Sequence, residues 1–314
     1  MKLSVLDQSP VAAGQSKAAA LRETVTLAQA VEHAGYHRFW VAEHHNSPGF
    51  AGTTPIVLAM AVLDATSAMK VGTGGVLLAL HDTSHTAEAF EVLAALHPGR
   101  VNMGIGRAGS GGTDYFTDKV LDLHQRMGLL PGSPGRDDID VWLLGAGRGS
   151  APLAAAFGAG YAHAHFLNAD SGPAAISLYR SSFSAGSRRP APEPLAAVRV
   201  IAAETHREAE RLADSVRLWR ARKDLGSDRP FPSYPESTAE HWSGEEMGRR
   251  QSNDVRLIVG DGPAVALRLE SLARELDVEE LMVSTPLPLL EDRIRSFGLV
   301  AEHLADLQAT TAEI

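Results

Sequence analysis

The sequence contains no cysteine among its 314 residues. Disulfide bonds, thiolate nucleophiles and cysteine-ligated zinc sites are therefore excluded, and this composition is typical of a cytoplasmic protein. Long apolar runs are also missing, because the longest one, at residues 56–63, is far too short to cross a bilayer. The opening segment MKLSVLDQSP has one lysine and too short an apolar run for a signal peptide. We therefore expect a soluble cytoplasmic protein with no membrane partner.

Basic residues are in deficit, since 29 Lys and Arg against 38 Asp and Glu give a net charge of −9. A protein that binds nucleic acid needs a basic face to meet the phosphates, so this balance argues against nucleic acid as a partner. The remaining composition, with 44% hydrophobic and 21% charged residues, is that of an ordinary globular protein.

Short apolar runs alternate with longer amphipathic runs along the chain. This alternation predicts strands at residues 2–6, 38–42, 71–78, 101–105, 141–144, 161–165, 195–203 and 280–285, with helices between them. Parallel strands need such crossovers, and about eight β-then-α units close a barrel. We predict an α/β fold, a (β/α)8 TIM barrel formed as a single domain by residues 1–314. An open doubly wound sheet is the alternative, which the lack of a composition break makes less favoured.

Two stretches interrupt this alternation. Residues 106–140 are rich in Gly, Pro and Asp, and their pattern predicts only a weak helix at 120–127. Residues 223–254 are polar and proline-rich. A loop of that length in a compact domain is usually an active-site lid or is disordered, so we predict a lid-like insertion at 223–254.

Two glycine-rich turns are candidates for phosphate binding. The first, GIGRAG at 104–109, fits G-x-G-x-x-G, but no amphipathic helix follows it, which disfavours a dinucleotide site. Arg107 would stand at the C-terminal end of a strand, where a cation can meet a phosphate, or else be a surface arginine.

The second turn runs from a strand directly into an alanine-rich helix. Ala146, Gly147, Arg148 and Ser150 there offer backbone N–H groups, a charge and a hydroxyl to an anion. We predict a phosphate cradle at these four residues. A tight turn capped by Ser150 is the structural alternative.

The segment AEHHN at 42–46 follows the second strand and carries the candidate for proton transfer. Adjacent histidines on an extended segment point to opposite sides, so His44 and His45 cannot both face the barrel mouth. Histidine titrates near neutrality and suits proton transfer. The spacing disfavours a metal site, so we predict none, and a hydrogen-bonded structural pair is the alternative.

Glycines interrupt the third strand at Gly74 and Gly75. A glycine inside a strand marks a bulge or the close approach of a ligand, such as a flat ring stacked against the backbone.

Five segments together resemble the bacterial luciferase-like flavin monooxygenases, and in particular the oxygenases of actinomycete secondary metabolism. They are RFWVAEHHN at 38–46, VGTGGVLLALH at 71–81, HPGRVNMGIGR at 97–107, LLGAGRGSAPLAAAFG at 143–158 and EELMVSTPL at 279–287. The resemblance implies a TIM barrel and FMN, or deazaflavin F420 in some branches. It also implies reduced FMN from a separate flavin reductase, oxygenation of a small apolar or aromatic molecule by O2, and a homodimer.

The resemblance assigns roles to the candidate residues. Arg107, the Gly147 backbone and Ser150 would hold the flavin phosphate. Gly74 and Gly75 would lie beside the isoalloxazine, across a non-proline cis peptide bond, and His44 would assist proton transfer.

This sequence departs from the family pattern at the phosphate loop and after the third strand. Relatives more often have Gly-Ser-Ser where residues 145–147 read Gly-Ala-Gly, so a hydroxyl donor is missing, for which Arg148 is the candidate compensation. Ala79 stands where relatives usually have proline, and residues 112–140 are shorter than usual.

Three rival functions use the same residues differently. An F420-dependent enzyme would transfer hydride, a non-catalytic protein would only bind flavin, and a barrel hydrolase would need a metal ion.

Overall fold

The computed structural model describes residues 1–107, 112–130, 138–147, 149–185, 189–254 and 257–312. Strands in the described residues are β1 (Lys2–Asp7), β2 (Arg38–Val41), β3 (Lys70–Thr73), β4 (Val76–Leu77), β5 (Val101–Gly106), β6 (Ile139–Gly145), β7 (Gly160–His163), β8 (Pro194–Ala203), β9 (Leu257–Asp261) and β10 (Glu280–Ser284). The α-helices described are α1 (Lys17–His33), α2 (Pro55–Ala65), α3 (Thr83–Leu96), α4 (Thr113–Arg126), α5 (Ser150–Ala156), α6 (Gly172–Ser182), α7 (His206–Asp224), α8 (Gly244–Asp254), α9 (Gly262–Leu276) and α10 (Leu290–Ala312).

Parallel strands close into an eight-position barrel within these described ranges. The ring runs β1, β2, β3, β5, β6, β7, β8, β10, with β4 extending the position of β3 by pairing with β5. It closes where β10 pairs with β8 on one side and with β1 on the other. The predicted barrel is confirmed, and the open doubly wound sheet is wrong because it would leave both outer strands unpaired.

Burial of the strands on both faces explains why their sequences are almost uniformly apolar. All ten residues of β8 are buried. The helices outside the ring bury one stripe each, as in α9, where Val265, Leu269, Leu272 and Leu276 face the barrel. The main core therefore lies between the ring and its helices.

A polar network fills the barrel interior at the N-terminal ends of the strands. Arg38 on β2 is 4% exposed, and its Nη2 donates to Glu280 Oε2 at 3.0 Å. Its Nη1 donates to Asp140 Oδ2 and to Asn102 Oδ1, each at 3.1 Å. The guanidinium lies over the Trp142 ring at 4.7 Å. One buried cation thus connects β2, β5, β6 and β10.

Several local predictions differ from the structure. The third strand is two pieces, β3 and β4, because the chain bends at Gly74 and Gly75. The weak helix predicted at 120–127 is the longer α4, whose Phe116, Val120 and Leu123 are buried. The insertion at 223–254 contains α8, and β9 was not predicted. No helix in the described part of the chain is long and apolar enough to span a membrane.

Candidate functional site

A cavity of about 730 Å³ opens at the C-terminal ends of the barrel strands. TIM-barrel enzymes place their active sites at this end, because loops from all eight strands converge there. A wider depression of about 830 Å³, beside Met1 and Asp277, lies at the opposite end of the barrel and contains none of the candidate residues.

The structure brings the candidate residues into one place. Those that line the cavity are His44, Gly74, Gly75, Arg107, Ala146, Gly147 and Ser150. Arg148 lies outside the described residues. Four separate strand ends contribute to this set, which sequence separation alone does not place together.

His44 follows β2 and packs against an aromatic ring. Its imidazole stacks on Phe50 with ring centroids 4.2 Å apart, and its Nε2 lies 3.4 Å from the Gln8 amide nitrogen. Burial, reinforced by the charges of Lys223 and Arg199, lowers the pKa of His44 to about 4. The imidazole is therefore neutral at pH 7 and can accept a proton.

The neighbouring His45 takes part in a separate cluster. The Glu43 carboxylate is buried, and its Oε1 lies 2.5 Å from His45 Nε2 and 2.7 Å from His81 Nε2. Its Oε2 accepts from the Leu77 N–H at 2.9 Å. The three side chains are close enough to be candidate metal ligands. A tetrahedral ion about 2.0–2.2 Å from each atom would hold the ligand atoms roughly 3.3–3.6 Å apart. The two distances from Glu43 Oε1 are shorter and are those of direct hydrogen bonds.

The peptide bond between Gly74 and Gly75 is cis, the geometry that the resemblance implies. A Cβ on Gly74 would lie 2.6 Å from Leu6 Cδ1, and one on Gly75 would lie 2.8 Å from the Gly104 carbonyl oxygen. Backbone packing within the barrel wall therefore already requires glycine at position 75, whereas the atom nearest to a Cβ at position 74 is the end of a leucine side chain, which can shift. Their identity does not by itself indicate a flat ligand.

Two side-chain hydroxyls bond to backbone carbonyls of the loop after β6. The Ser171 hydroxyl donates to the Ala146 carbonyl at 3.0 Å, and the Tyr161 hydroxyl donates to the Gly147 carbonyl at 3.1 Å. Since the C=O and N–H of a trans peptide point in opposite directions, the Gly147 N–H is turned away from Ser171. A Cβ on Gly147 would have no atom within 4 Å, so open space lies beside it.

Arg107 follows β5 and lines the same cavity as this loop. Its side chain is exposed, and Nη1 donates to the Thr113 hydroxyl at 3.1 Å. An exposed arginine that is held by one hydrogen bond and lines a cavity with open backbone is suited to bind an anion.

The opposite side of the cavity was not predicted. It includes Phe50 and Trp219, which line the cavity. The buried Phe231 packs behind them in one aromatic cluster, in which the Trp219 and Phe231 rings stack at 4.5 Å. Arg199 and Lys223 line the cavity beside this cluster. A lone arginine within the apolar run LAAVRVIAA was the available signal for Arg199.

The segment at 223–254 adjoins this cluster. Phe231 is fully buried, and its backbone pairs with Val11 and Ala13 in the loop after β1. Arg222 holds Glu236 at 2.6 Å and Glu246 at 2.9 Å. These contacts hold the segment against the end of α7 and the loop after β1, next to the aromatic cluster.

Sequence comparison relates the chain to one family. The profile of the luciferase-like monooxygenases matches residues 1–115. The chain is 33% identical to the luciferase-like monooxygenase of Escherichia coli (strain K12), over 97% of both chains. It is 30% identical to the N-acetyl-S-alkylcysteine monooxygenase of Bacillus subtilis (strain 168), over 96% of this chain and 98% of that one.

Solved structures share the fold. Apo-MsnO8 has a TM-score of 0.89 at 34% identity, covering 97% of this chain and 98% of its own. Two more distant barrels carry different cofactors. The oxygenating constituent of 3,6-diketocamphane monooxygenase from Pseudomonas putida, in complex with FMN, has a TM-score of 0.71 at 16% identity, covering 98% of each chain. An F420-dependent secondary alcohol dehydrogenase has 0.66 at 15%, covering 96% of this chain and 98% of that one.

Proposed function

Because the chain belongs to the luciferase-like monooxygenase family, we propose that it uses reduced FMN and O2 to oxygenate a small apolar or aromatic organic molecule. The observation that carries this proposal is a cavity lined both by a neutral, buried imidazole and by a glycine-rich loop with open backbone. The enzyme class, a flavin-dependent monooxygenase, follows from the family itself.

The residues present fit FMN. Arg107, Gly147 and Ser150 all line the cavity, and together they offer a guanidinium, a backbone N–H and a hydroxyl to a phosphate. Ala146 and Gly74–Gly75 form backbone walls against which a flat ring can lie. When bound, reduced flavin supplies the electrons that activate O2.

His44 is the proposed catalytic residue. Its lowered pKa keeps the imidazole neutral at pH 7, and the neutral ring would assist proton transfer at the oxygen or substrate atoms held beside it. The cluster of Phe50, Trp219 and Phe231, backed by the 223–254 segment, excludes water from the same side. Exclusion of water is needed to prevent loss of the activated oxygen as hydrogen peroxide.

Two partners belong to the proposal. A separate flavin reductase would supply reduced FMN, and a distant relative of the same fold is named as the oxygenating constituent of its system. A second copy of the chain would cover the early helices, where Val57 on α2 and Val92 and Leu96 on α3 are each more than half exposed. The cytoplasm remains the expected location.

Replacing Arg107 with alanine is expected to weaken FMN binding by about 1.5–3 kcal/mol, because a charge-assisted contact to the phosphate is lost. Riboflavin, which has the same ring without the phosphate, should bind the wild type and the variant equally. The measurement is a fluorescence titration of each protein with FMN, riboflavin and F420.

The matched control is Arg126→Ala, which removes the same charge from an exposed ion pair at the end of α4. It should leave all affinities unchanged. Equal loss of FMN and riboflavin affinity in Arg107→Ala would contradict the phosphate assignment. Binding of F420 in preference to FMN would contradict the proposed oxygenase and favour an enzyme that transfers hydride.

A further inference from the structure

Three successive backbone carbonyls, those of residues 145–147, accept hydrogen bonds from β7 and the segment that follows it. The first accepts from the Ala164 N–H at 2.8 Å. The second accepts from the Ser171 hydroxyl at 3.0 Å and the third from the Tyr161 hydroxyl at 3.1 Å. Two of these three donors are side-chain hydroxyls, so a substitution can remove either one while the backbone stays intact.

The loop that receives these bonds is flexible by composition. Its sequence, GAGRGS at 145–150, contains three glycines, and glycine loses more conformational freedom than any other residue when its backbone is fixed. A hydrogen bond to a carbonyl also orients the N–H of the same peptide group, which points the opposite way. The Ser171 bond therefore sets the direction of the Gly147 N–H, and the Tyr161 bond holds the Gly147 carbonyl.

Rigid elements carry both hydroxyls. Tyr161 lies in β7 with no exposed surface, and its ring centre is 5.6 Å from that of Tyr179. Ser171 comes directly before α6, and its N–H donates to Asn168 Oδ1 at 3.4 Å. The loop after β6 therefore takes its shape from the neighbouring strand and helix before any ligand binds.

The Tyr161 hydroxyl has one hydrogen and two acceptors within reach. His163 Nδ1 lies 3.2 Å from this hydroxyl, and His163 Nε2 lies 2.9 Å from the Asn168 carbonyl oxygen. A carbonyl can only accept, so Nε2 carries a hydrogen, and burial lowers the pKa of His163, which leaves Nδ1 bare at pH 7. The Tyr161 hydrogen is thus shared between His163 and Gly147, so we expect Ser171 to contribute more to holding the loop.

We propose that Ser171 and Tyr161 are positioning residues for the phosphate group of FMN. Their hydroxyls hold the loop after β6 in the conformation that presents the Gly147 N–H, and they thereby determine how strongly the protein prefers FMN to riboflavin. The inference rests on the proposed function, which assigns the phosphate to this loop. Neither residue occurs among the described residues that line the cavity, so each acts through the loop without touching the flavin.

The test measures the ratio of the riboflavin Kd to the FMN Kd, by fluorescence titration of the full-length protein with each oxidised flavin. This ratio isolates the contribution of the phosphate, because the two flavins share the same ring. Ser171→Ala is expected to lower the ratio by about 2- to 10-fold, the effect of one lost hydrogen bond, and Tyr161→Phe should lower it less. Ser171→Thr retains a hydroxyl and should keep the wild-type ratio.

Two variants serve as matched controls. Tyr179 is also a fully buried tyrosine, and its hydroxyl donates to the Ala159 carbonyl before β7 at 2.8 Å. Tyr179→Phe should therefore lower stability and leave the ratio unchanged. Ser181→Ala removes a hydroxyl that donates to the Leu178 carbonyl within α6 and should change neither.

A second readout is the ³¹P resonance of bound FMN. In Ser171→Ala this resonance should move toward its position in free FMN, because the loop no longer presents its N–H to the phosphate in one fixed direction. In Tyr179→Phe it should stay at the wild-type position. A loss of stability alone does not produce this difference between the two variants.

A wild-type ratio in Ser171→Ala overturns the proposal, and so does an equal loss of FMN and riboflavin affinity, which leaves the ratio unchanged. Because Ser171 is only partly buried, this variant decides the question if Tyr161→Phe does not fold. If Arg107→Ala lowers the ratio and Ser171→Ala does not, this inference alone fails. If the ratio depends on Ser171 but bound reduced FMN reacts with O2 as fast as free FMN, the proposed oxygenase function fails and this inference stands.

Discussion

Replacing His44 with alanine is expected to lower oxygenation turnover by about 10²- to 10⁴-fold, the range for loss of a general base, while FMN affinity stays the same. FMN affinity should not change because His44 follows β2, whereas the loop proposed to bind the phosphate follows β6. The measurement is incorporation of ¹⁸O from ¹⁸O2 into product, with reduced FMN supplied chemically and a substrate found by screening small apolar and aromatic molecules.

The pH dependence provides an independent reading of the same role. Because the pKa of His44 is lowered to about 4, the neutral base persists well below pH 6.5. The wild-type rate should therefore be limited by this group only as the pH falls toward 4. A loss of rate centred near pH 6.5 that is present in the wild type and absent in His44→Ala would contradict a buried imidazole with a pKa of about 4.

His44→Gln and His33→Ala are the matched variants. Glutamine keeps a polar group of similar reach without proton transfer, so its turnover should fall nearly as far as that of alanine. His33 is exposed on α1 and bonds the Gln29 carbonyl, so its replacement should change nothing. Wild-type turnover in His44→Ala would exclude His44 as the base.

Arg38→Met is expected to lower the free energy of unfolding by about 3–5 kcal/mol, the cost of removing one partner from a buried ion pair. Glu280 is 6% exposed and would lose its hydrogen bond from Arg38 Nη2. Asp140 would lose its ion pair with Arg38 and retain the one with Arg189. Burial raises the pKa of Asp140, and the charges of Arg189 and Arg38 more than offset it, so its pKa lies below the ordinary value.

The measurement is equilibrium unfolding in guanidinium chloride, with Arg268→Met as control. Arg268 makes an exposed ion pair with Glu275, and such pairs contribute about 0–1 kcal/mol. A loss in Arg38→Met no larger than in the control would show that the network at the base of the barrel is not a major source of stability.

The barrel could be predicted because its strands are buried on both faces. Each of the eight predicted strands corresponds to a position in the ring. A short apolar run between two amphipathic helices is typical of a parallel strand that is buried on both faces. The strand β9 could not be predicted in this way. Among the described strands it pairs with the C-terminal half of β8, outside the ring, and it is half-buried. The helix α8 is polar, and it is held by ion pairs such as that between Arg250 and Asp214.

The glycine loops and the His44 segment were recognisable because special backbone and titratable groups leave local signatures. Their convergence on one cavity followed from parallel strands ending at one face. The aromatic cluster beside the other half of the cavity had no local signature. Phe50, Trp219 and Phe231 come from a loop, a helix and the insertion, and as single aromatic residues they look like ordinary core.

The central claim is that this chain uses reduced FMN to activate oxygen, and one rapid-mixing experiment tests it most directly. Reduced FMN with excess protein, prepared without oxygen, is mixed with oxygenated buffer while flavin absorbance is followed. We expect the oxidised-flavin absorbance to return distinctly later than in the protein-free mixture, because the bound flavin is shielded from water. Return at the same rate as free flavin would contradict the account.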